Sequence, residues 1–202
     1  MPSEVFAYAG KILRVNLSNG DISTEPADKY VREWLGASGI GTKILYDEVK
    51  PWVTPYSPAN RLIISAGTLG GTMAPGASRI NGNSINAMTD GFGSANSDSH
   101  LGGELKFAGY DAIVISGKAH QPAYLWIEDE TVEILDASYL WGEDTWKTVD
   151  LIRQRHQDRG IHVLSIGPTA FVASDAQKLR VFGVGHVASN HGCTKPRSNK
   201  VW

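Results

Sequence analysis

The sequence predicts an α+β fold. Two hairpin signatures, short apolar strands flanked by glycine-rich loops, and four amphipathic helical segments carry that expectation. Residues 11–17 alternate and run into Ser18-Asn19-Gly20-Asp21, with 22–25 as the return arm, which reads as a hairpin around an Asn-Gly turn. Asp28 is expected to cap a helix through about Leu35, with Tyr30, Val31, Trp34 and Leu35 on one face. A second helix is expected over 42–48, ending near Pro51. Residues 61–65 form an apolar strand that opens into a loop over 67–78, and 80–85 form another strand. Ala95-Asn96-Ser97 reads as a turn. Residues 101–107 are expected to be helical, stopped by Gly109, with 112–116 a buried strand. A second hairpin joins 123–128 to 132–135 around Asp129-Glu130-Thr131. The clearest helix is 144–156, with Trp146, Val149, Leu151 and Ile152 as its apolar positions, and 162–166 is the last strand.

These elements contain a weak internal repeat. Hairpin, helix, strand and glycine loop recur in the second half, ending at Ile166-Gly167-Pro168. A duplication would set two similar loops across a pseudo-twofold axis, and chance recurrence of common α+β units is the alternative.

At 202 residues the chain suits one large or two small domains and could bury roughly 70% of its unfolded surface. A net charge of −2 gives no electrostatic case for nucleic acid or an anionic membrane. No apolar run approaches a membrane span, and the N-terminus lacks the pattern of a secretory signal. The single cysteine, Cys193, fits a reducing cytoplasm and cannot by itself hold an iron–sulfur cluster.

The most informative stretch is 67–119, where glycine loops surround a lone Arg79 and lead into GGELKFAGYDAIVISGKA at 102–119. That string closely resembles the N-terminal domain of the tungsten-containing aldehyde:ferredoxin oxidoreductase family. AGKILRVNLSNGDI (9–22), WLGASGIGTKILYDEV (34–49) and SPANRLIISAGTLGGTMAPGASR (57–79) extend the likeness. AYLWIEDETVEILDASYLWGEDTWKT (123–148) and SIGPTA (165–170) carry it further, and it fades near Phe171. The expected organisation is a cofactor-platform domain over 1–185 and a divergent or truncated tail over 186–202.

The resemblance implies a bis-pyranopterin cofactor holding tungsten (or molybdenum), with its phosphates bridged by Mg²⁺. Arg79 matches a family arginine that reaches the cofactor, where its planar fork would suit a phosphate or a pterin edge. Asn96, followed by Ser97, matches a residue whose main-chain carbonyl is a Mg²⁺ ligand, and Ala188 would supply the second such carbonyl. Gly70, Gly71 and Thr72 correspond to a family loop whose amides could donate to phosphate or pterin oxygens. The sequence departs from the family at Asp98, where glycine is usual, and at Val187, where arginine is usual.

By the same resemblance the whole enzyme would oxidise an aldehyde to a carboxylate. Its electrons would pass through a 4Fe–4S cluster, held in further domains or a partner subunit, to ferredoxin. Implied partners are those domains or that subunit, ferredoxin, and further copies of the chain. Alternatives are the tungsten subunit of another reductase of the superfamily, such as an aryl-CoA reductase, and a non-catalytic truncated remnant. No general acid or base stands out, and the chain alone is expected to be inactive, as a fragment, a frameshift product or one half of a split enzyme.

Three other patterns are set aside. Residues 36–43 lack the Gly-Lys-Ser/Thr of a phosphate loop, and Gly91-x-Gly93-x-x-Asn96 is a broken dinucleotide fingerprint. His186, His191 and Cys193 lack the spacing of a zinc site.

Overall fold

The computed structural model describes residues 7–98, 100–165 and 200–201, the last two as backbone only. β1 (Lys11–Asn16) and β2 (Asp21–Pro26) form the first hairpin, followed by α1 (Asp28–Trp34), α2 (Ser38–Glu48), β3 (Arg61–Ala66) and β4 (Ile80–Ile85). Then come β5 (Phe92–Ser97), α3 (Leu101–Phe107), β6 (Ala112–Ser116), and a second hairpin of β7 (Ala123–Glu128) and β8 (Thr131–Asp136). A 3-10 turn (Ser138–Leu140), α4 (Thr145–Arg155) and β9 (Lys200–Val201) complete the order.

Six strands make one mixed sheet in the order β2-β1-β6-β3-β4-β5, and β8-β7-β9 make a second sheet. In the larger sheet β1 and β6 pair in parallel and the other ladders are antiparallel. Strand alternation sends side chains to two covered faces. On one face Ile12, Ile63, Ala112 and Val114 meet Tyr30 and Val31 of α1 and Ile40, Ile44 and Leu45 of α2. On the other, Leu13, Val15, Ile64, Ala66, Ile80 and Ile113 meet Leu101 and Leu105 of α3 and Ile127 of β7. Burial on both sides explains why β6 reads as an unbroken apolar run. Among the described residues no helix is long and apolar enough to cross a membrane.

Several expectations need correction. α2 begins at Ser38, four residues before the predicted start, because Gly39 and Gly41 sit there for contact reasons. A Cβ on Gly39 would lie 2.0 Å from the Trp34 carbonyl oxygen, and one on Gly41 would lie 2.0 Å from Asn83 Oδ1. Asp28 is the first helical residue of α1, whose cap position is Ala27 without a side-chain cap. Tyr30 and Val31 are buried as expected, but Trp34 and Leu35 are exposed at the frayed end of that short helix. The supposed turn at 95–97 is the end of β5, a polar edge strand whose Gly/Ser/Asn composition hid it. The strand expected at 162–166 is reduced to a bridge at His162 with 163–165 irregular, and the Ile166-Gly167-Pro168 loop lies outside the described residues. The second hairpin stands in its own sheet, so the architecture gives the proposed duplication no further support.

A half-buried charge cluster ties the sheet to α2. Arg14 on β1 donates to Glu25 at 2.7 Å and to both Glu48 oxygens at 2.6 and 3.1 Å, and Arg61 Nε donates to Glu48 at 3.2 Å. Burial by itself raises the Glu48 carboxyl, but hydrogen bonds and charge from Arg14 and then Arg61 outweigh it and hold the pKa below its ordinary 4.5. A depressed carboxylate pKa contributes stability above the unfolded-state value and loses it as pH falls through the folded one. Urea midpoints of the wild-type chain should therefore decline below about pH 4.5, and Glu48→Gln should flatten that decline. Parallel pH profiles for the two proteins would contradict this role for Glu48.

Candidate cofactor-binding edge

The GGELKFAGYD string builds one corner of the domain. α3 ends in a paired reversal in which Gly109 N–H donates to the Lys106 carbonyl and Tyr110 N–H to the Leu105 carbonyl, both at 3.0 Å. Gly109 takes φ +92°, a conformation that favours glycine, and Leu105 and Tyr110 meet in the core. The reversal delivers Asp111 to the start of β6, between β1 and β3. Its N–H donates to the Lys11 carbonyl at 2.8 Å and its carbonyl accepts from Ala66 N at 3.0 Å. Its carboxylate, 1% exposed, accepts from Ala9 N and Gly10 N at 3.0 and 2.7 Å.

α3 also backs the 67–78 loop at close range. A Cβ on Gly102 would lie 2.7 Å from the Ser78 carbonyl oxygen and 2.9 Å from that of Arg79. Gly71 takes φ +77° and lies under the Phe107 ring, which a Cβ there would approach to 3.1 Å. The amides of Gly70, Gly71 and Thr72 are engaged inside the loop, donating to the carbonyls of Gly67 (2.8 Å), Ala77 (3.2 Å) and Leu69 (3.1 Å). The Thr72 hydroxyl also donates to the Leu69 carbonyl, at 2.7 Å. These glycines let the loop fold tightly against α3, and their amides are not turned outward as the sequence suggested.

The loop closes where Gly67 N donates to the Arg79 carbonyl at 3.4 Å, just ahead of β4. β4 and β5 pair with Asn81 opposite Asn96 and Asn83 opposite Ser94. Asn86 N donates to the Gly91 carbonyl across the same hairpin, so every second pair exchanges main-chain hydrogen bonds and the Asn81–Asn96 pair is one of those that do not. The main-chain N–H and carbonyl of Asn96 therefore point away from β4. Among the described residues no strand pairs with that outer side of β5.

Extending the same register by one pair sets Arg79 opposite Asp98. Arg79 Nη2 donates to Asp98 Oδ2 at 3.0 Å and Arg79 Nε pairs with Asp98 Oδ1, a two-pronged contact between exposed side chains. Alternation puts Arg79, Asn81 and Asn96 on one face. Asn81 Nδ2 donates to Ser94 Oγ, the Ala95 carbonyl and Asn96 Oδ1 at 3.0, 3.1 and 2.9 Å. Asn81 is 1% exposed, and its Oδ1 has no hydrogen-bond partner. Ser97 turns to the opposite face, where it lines an apolar cavity with Ile64, Ile115 and Leu125.

The structure thus brings Arg79, Asn96 and the 67–72 loop together and sends the Ser97 side chain elsewhere. Ala188, His186, His191 and Cys193 lie outside the described residues. Among the described residues no group of His, Cys, Asp and Glu side chains is placed to hold a metal ion. An outward carbonyl on a free edge beside a guanidinium still fits a hard cation and its phosphate, since oxygen donors suit Mg²⁺. Sequence reasoning missed Asn81 and Asp111, although an asparagine amid strand residues and an acid opening an apolar run were both visible signals.

Comparison with known proteins defines the class first. Residues 12–192 match the family described as "Aldehyde ferredoxin oxidoreductase, N-terminal domain", and the chain belongs to it. The tungsten-containing aldehyde ferredoxin oxidoreductase of Pyrococcus furiosus is 42% identical over 184 residues, 91% of this chain and 30% of that protein. Its Pyrococcus horikoshii counterpart is 40% identical over 189 residues, 93% of this chain and 31% of the relative. An aliphatic sulfonate oxidoreductase WOR-like subunit from P. furiosus is 37% identical over 161 residues, 76% of this chain and 25% of that one. Among solved structures, the benzoyl coenzyme A reductase active-site complex BamBC is similar, with TM-score 0.75 and 35% identity over 76% of this chain and 24% of that one. The chain spans less than a third of the length of the Pyrococcus relatives.

Gly102→Ala should push α3 off the Ser78 and Arg79 carbonyls and cost about 1–3 kcal/mol, read from urea unfolding. An unchanged midpoint would contradict the close approach.

Proposed function

We propose that this chain is the cofactor platform of a tungsten-dependent oxidoreductase, with its 67–79 segment and the Asn96 edge facing a bis-pyranopterin cofactor. The observation that carries the reading is the outward Asn96 carbonyl two ladder steps, and so one same-face repeat, from the Arg79–Asp98 pair. Asn96 offers a main-chain oxygen to Mg²⁺, and the Arg79 fork offers two parallel N–H donors to a phosphate. The Ala188 carbonyl completes the Mg²⁺ site in this reading, while Gly70, Gly71 and Thr72 shape the wall. When bound, the cofactor would supply the two-electron oxidation of an aldehyde to a carboxylate. The remaining domains or a partner subunit would hold the 4Fe–4S cluster and pass electrons to ferredoxin. Exposed Leu69, Met73 and Phe107 border the 67–72 loop, an apolar surface suited to cover by the rest of the enzyme. The likeness to BamBC favours a second reading, the tungsten subunit of an aryl-CoA reductase, which would use the same edge.

Asp98 modifies this site. Its carboxylate occupies the fork that a phosphate would take, but with side chains 65% and 68% exposed the pair is held weakly. A magnesium-bound phosphate displaces it in this reading. The test joins this chain to the remaining two thirds of the P. furiosus relative, produced anaerobically with tungstate. Tungsten and pterin content should fall in the order Asp98→Gly, wild type, Arg79→Lys, Arg79→Ala. Loss of charged hydrogen bonds is worth roughly ten- to a hundredfold in affinity. Equal occupancy in all four proteins would remove Arg79 from the site, and turnover of aldehyde or of aryl-CoA separates the two readings.

A further inference from the structure

Lys106 is the buried cation of this corner. Its side chain is 7% exposed and its ammonium lies 3.4 Å from Asp111 Oδ1. It donates to the Thr68 carbonyl at 2.8 Å and to the Ala7 carbonyl, so the three donors of an ammonium face three oxygens. Its stem runs under Gly70, where a Cβ would meet Lys106 Cδ at 3.5 Å. The Tyr8 ring lies 5.1 Å from the ammonium, and the Tyr8 hydroxyl is 3.4 Å from Thr68 Oγ1.

Removing a charge from water is costly unless every donor finds a partner. This arrangement meets that condition only while the loop keeps its present place, because one of the three oxygens belongs to it. We propose that Lys106 is a positioning residue. Held by Asp111, it fixes the 67–72 loop through the Thr68 carbonyl and Gly70, and through Gly67 it sets where Arg79 enters β4. The inference deepens the cofactor-platform reading and rests on it for the purpose of the loop, not for the anchoring itself.

A local anchor differs from a general contribution to stability in where its loss is felt. Once Lys106 is gone, the loop amides of Gly70, Gly71 and Thr72 should open without the sheet opening.

Hydrogen exchange on the 202-residue chain tests this. Lys106→Met should speed exchange at those three amides about tenfold or more, with β3 and β6 amides unchanged. Lys106→Gln, which keeps two uncharged N–H donors on a shorter stem, should fall between the two, and it serves as the readout if the methionine variant does not fold. Unchanged loop exchange, or an equal rise across the whole chain, would overturn the assignment. Tungsten content of the same variants in the joined enzyme separates the two claims. A loosened loop with full tungsten upholds the anchoring by Lys106 and removes the loop from the cofactor site. A loosened loop with tungsten lost upholds both.

Discussion

The corner of the domain depends on the buried carboxylate of Asp111. One residue joins β1 and β3 through its main chain, captures the incoming 7–10 segment through its amides, and balances Lys106. A carboxylate this deeply buried is tolerable only with such partners. Each partner belongs to a different part of the chain, so meeting the charge brings α3, β6, the N-terminal entry and the 67–72 loop together. The glycine reversal after α3 makes this achievable by turning the chain at Gly109, three residues after Lys106.

That corner adjoins a polar margin of the larger sheet. Both faces of the central strands are covered by helices or by the second hairpin, and among the described residues the larger sheet is open at β2 and at β5, of which β5 lies beside the loop ahead of β4. Asn81 braces this margin from inside, holding Asn96 Oδ1 and the Ala95 carbonyl with one amide. The Arg79–Asp98 pair shows that the margin can hold an anion in its guanidinium fork, here one supplied by the chain itself.

The sequence made the scaffold legible where periodicity and punctuation agree. The Asn-Gly hairpin, the apolar β3 and β6, and the Gly109 stop all stand as read, and Asp144 caps α4 by accepting from Lys147 N at 2.7 Å. It misled where residues answer to contact and not to local preference. β5 is an edge strand rich in Gly, Ser and Asn, so strand propensity failed there. Gly39 and Gly41 lie ahead of the expected helix start at 42, yet they belong to α2 and admit the Trp34 carbonyl and the Asn83 side chain. Within the site, Arg79 and Asn96 were found through family likeness. Their adjacency, the engagement of the loop amides, and the seizure of Arg79 by Asp98 depend on register, which the sequence did not disclose.

In the proposed reading the Asn96 edge faces the metal cofactor. Diffraction from crystals of the complete enzyme, collected at the tungsten absorption edge, tests it directly. The tungsten peak is expected at the sheet edge bordered by β5 and the 67–79 segment. A hard cation is expected about 2.1 Å from the Asn96 carbonyl oxygen. A tungsten peak at the opposite, β2 edge of the sheet, or an Asn96 carbonyl with no ion in reach, would contradict that reading.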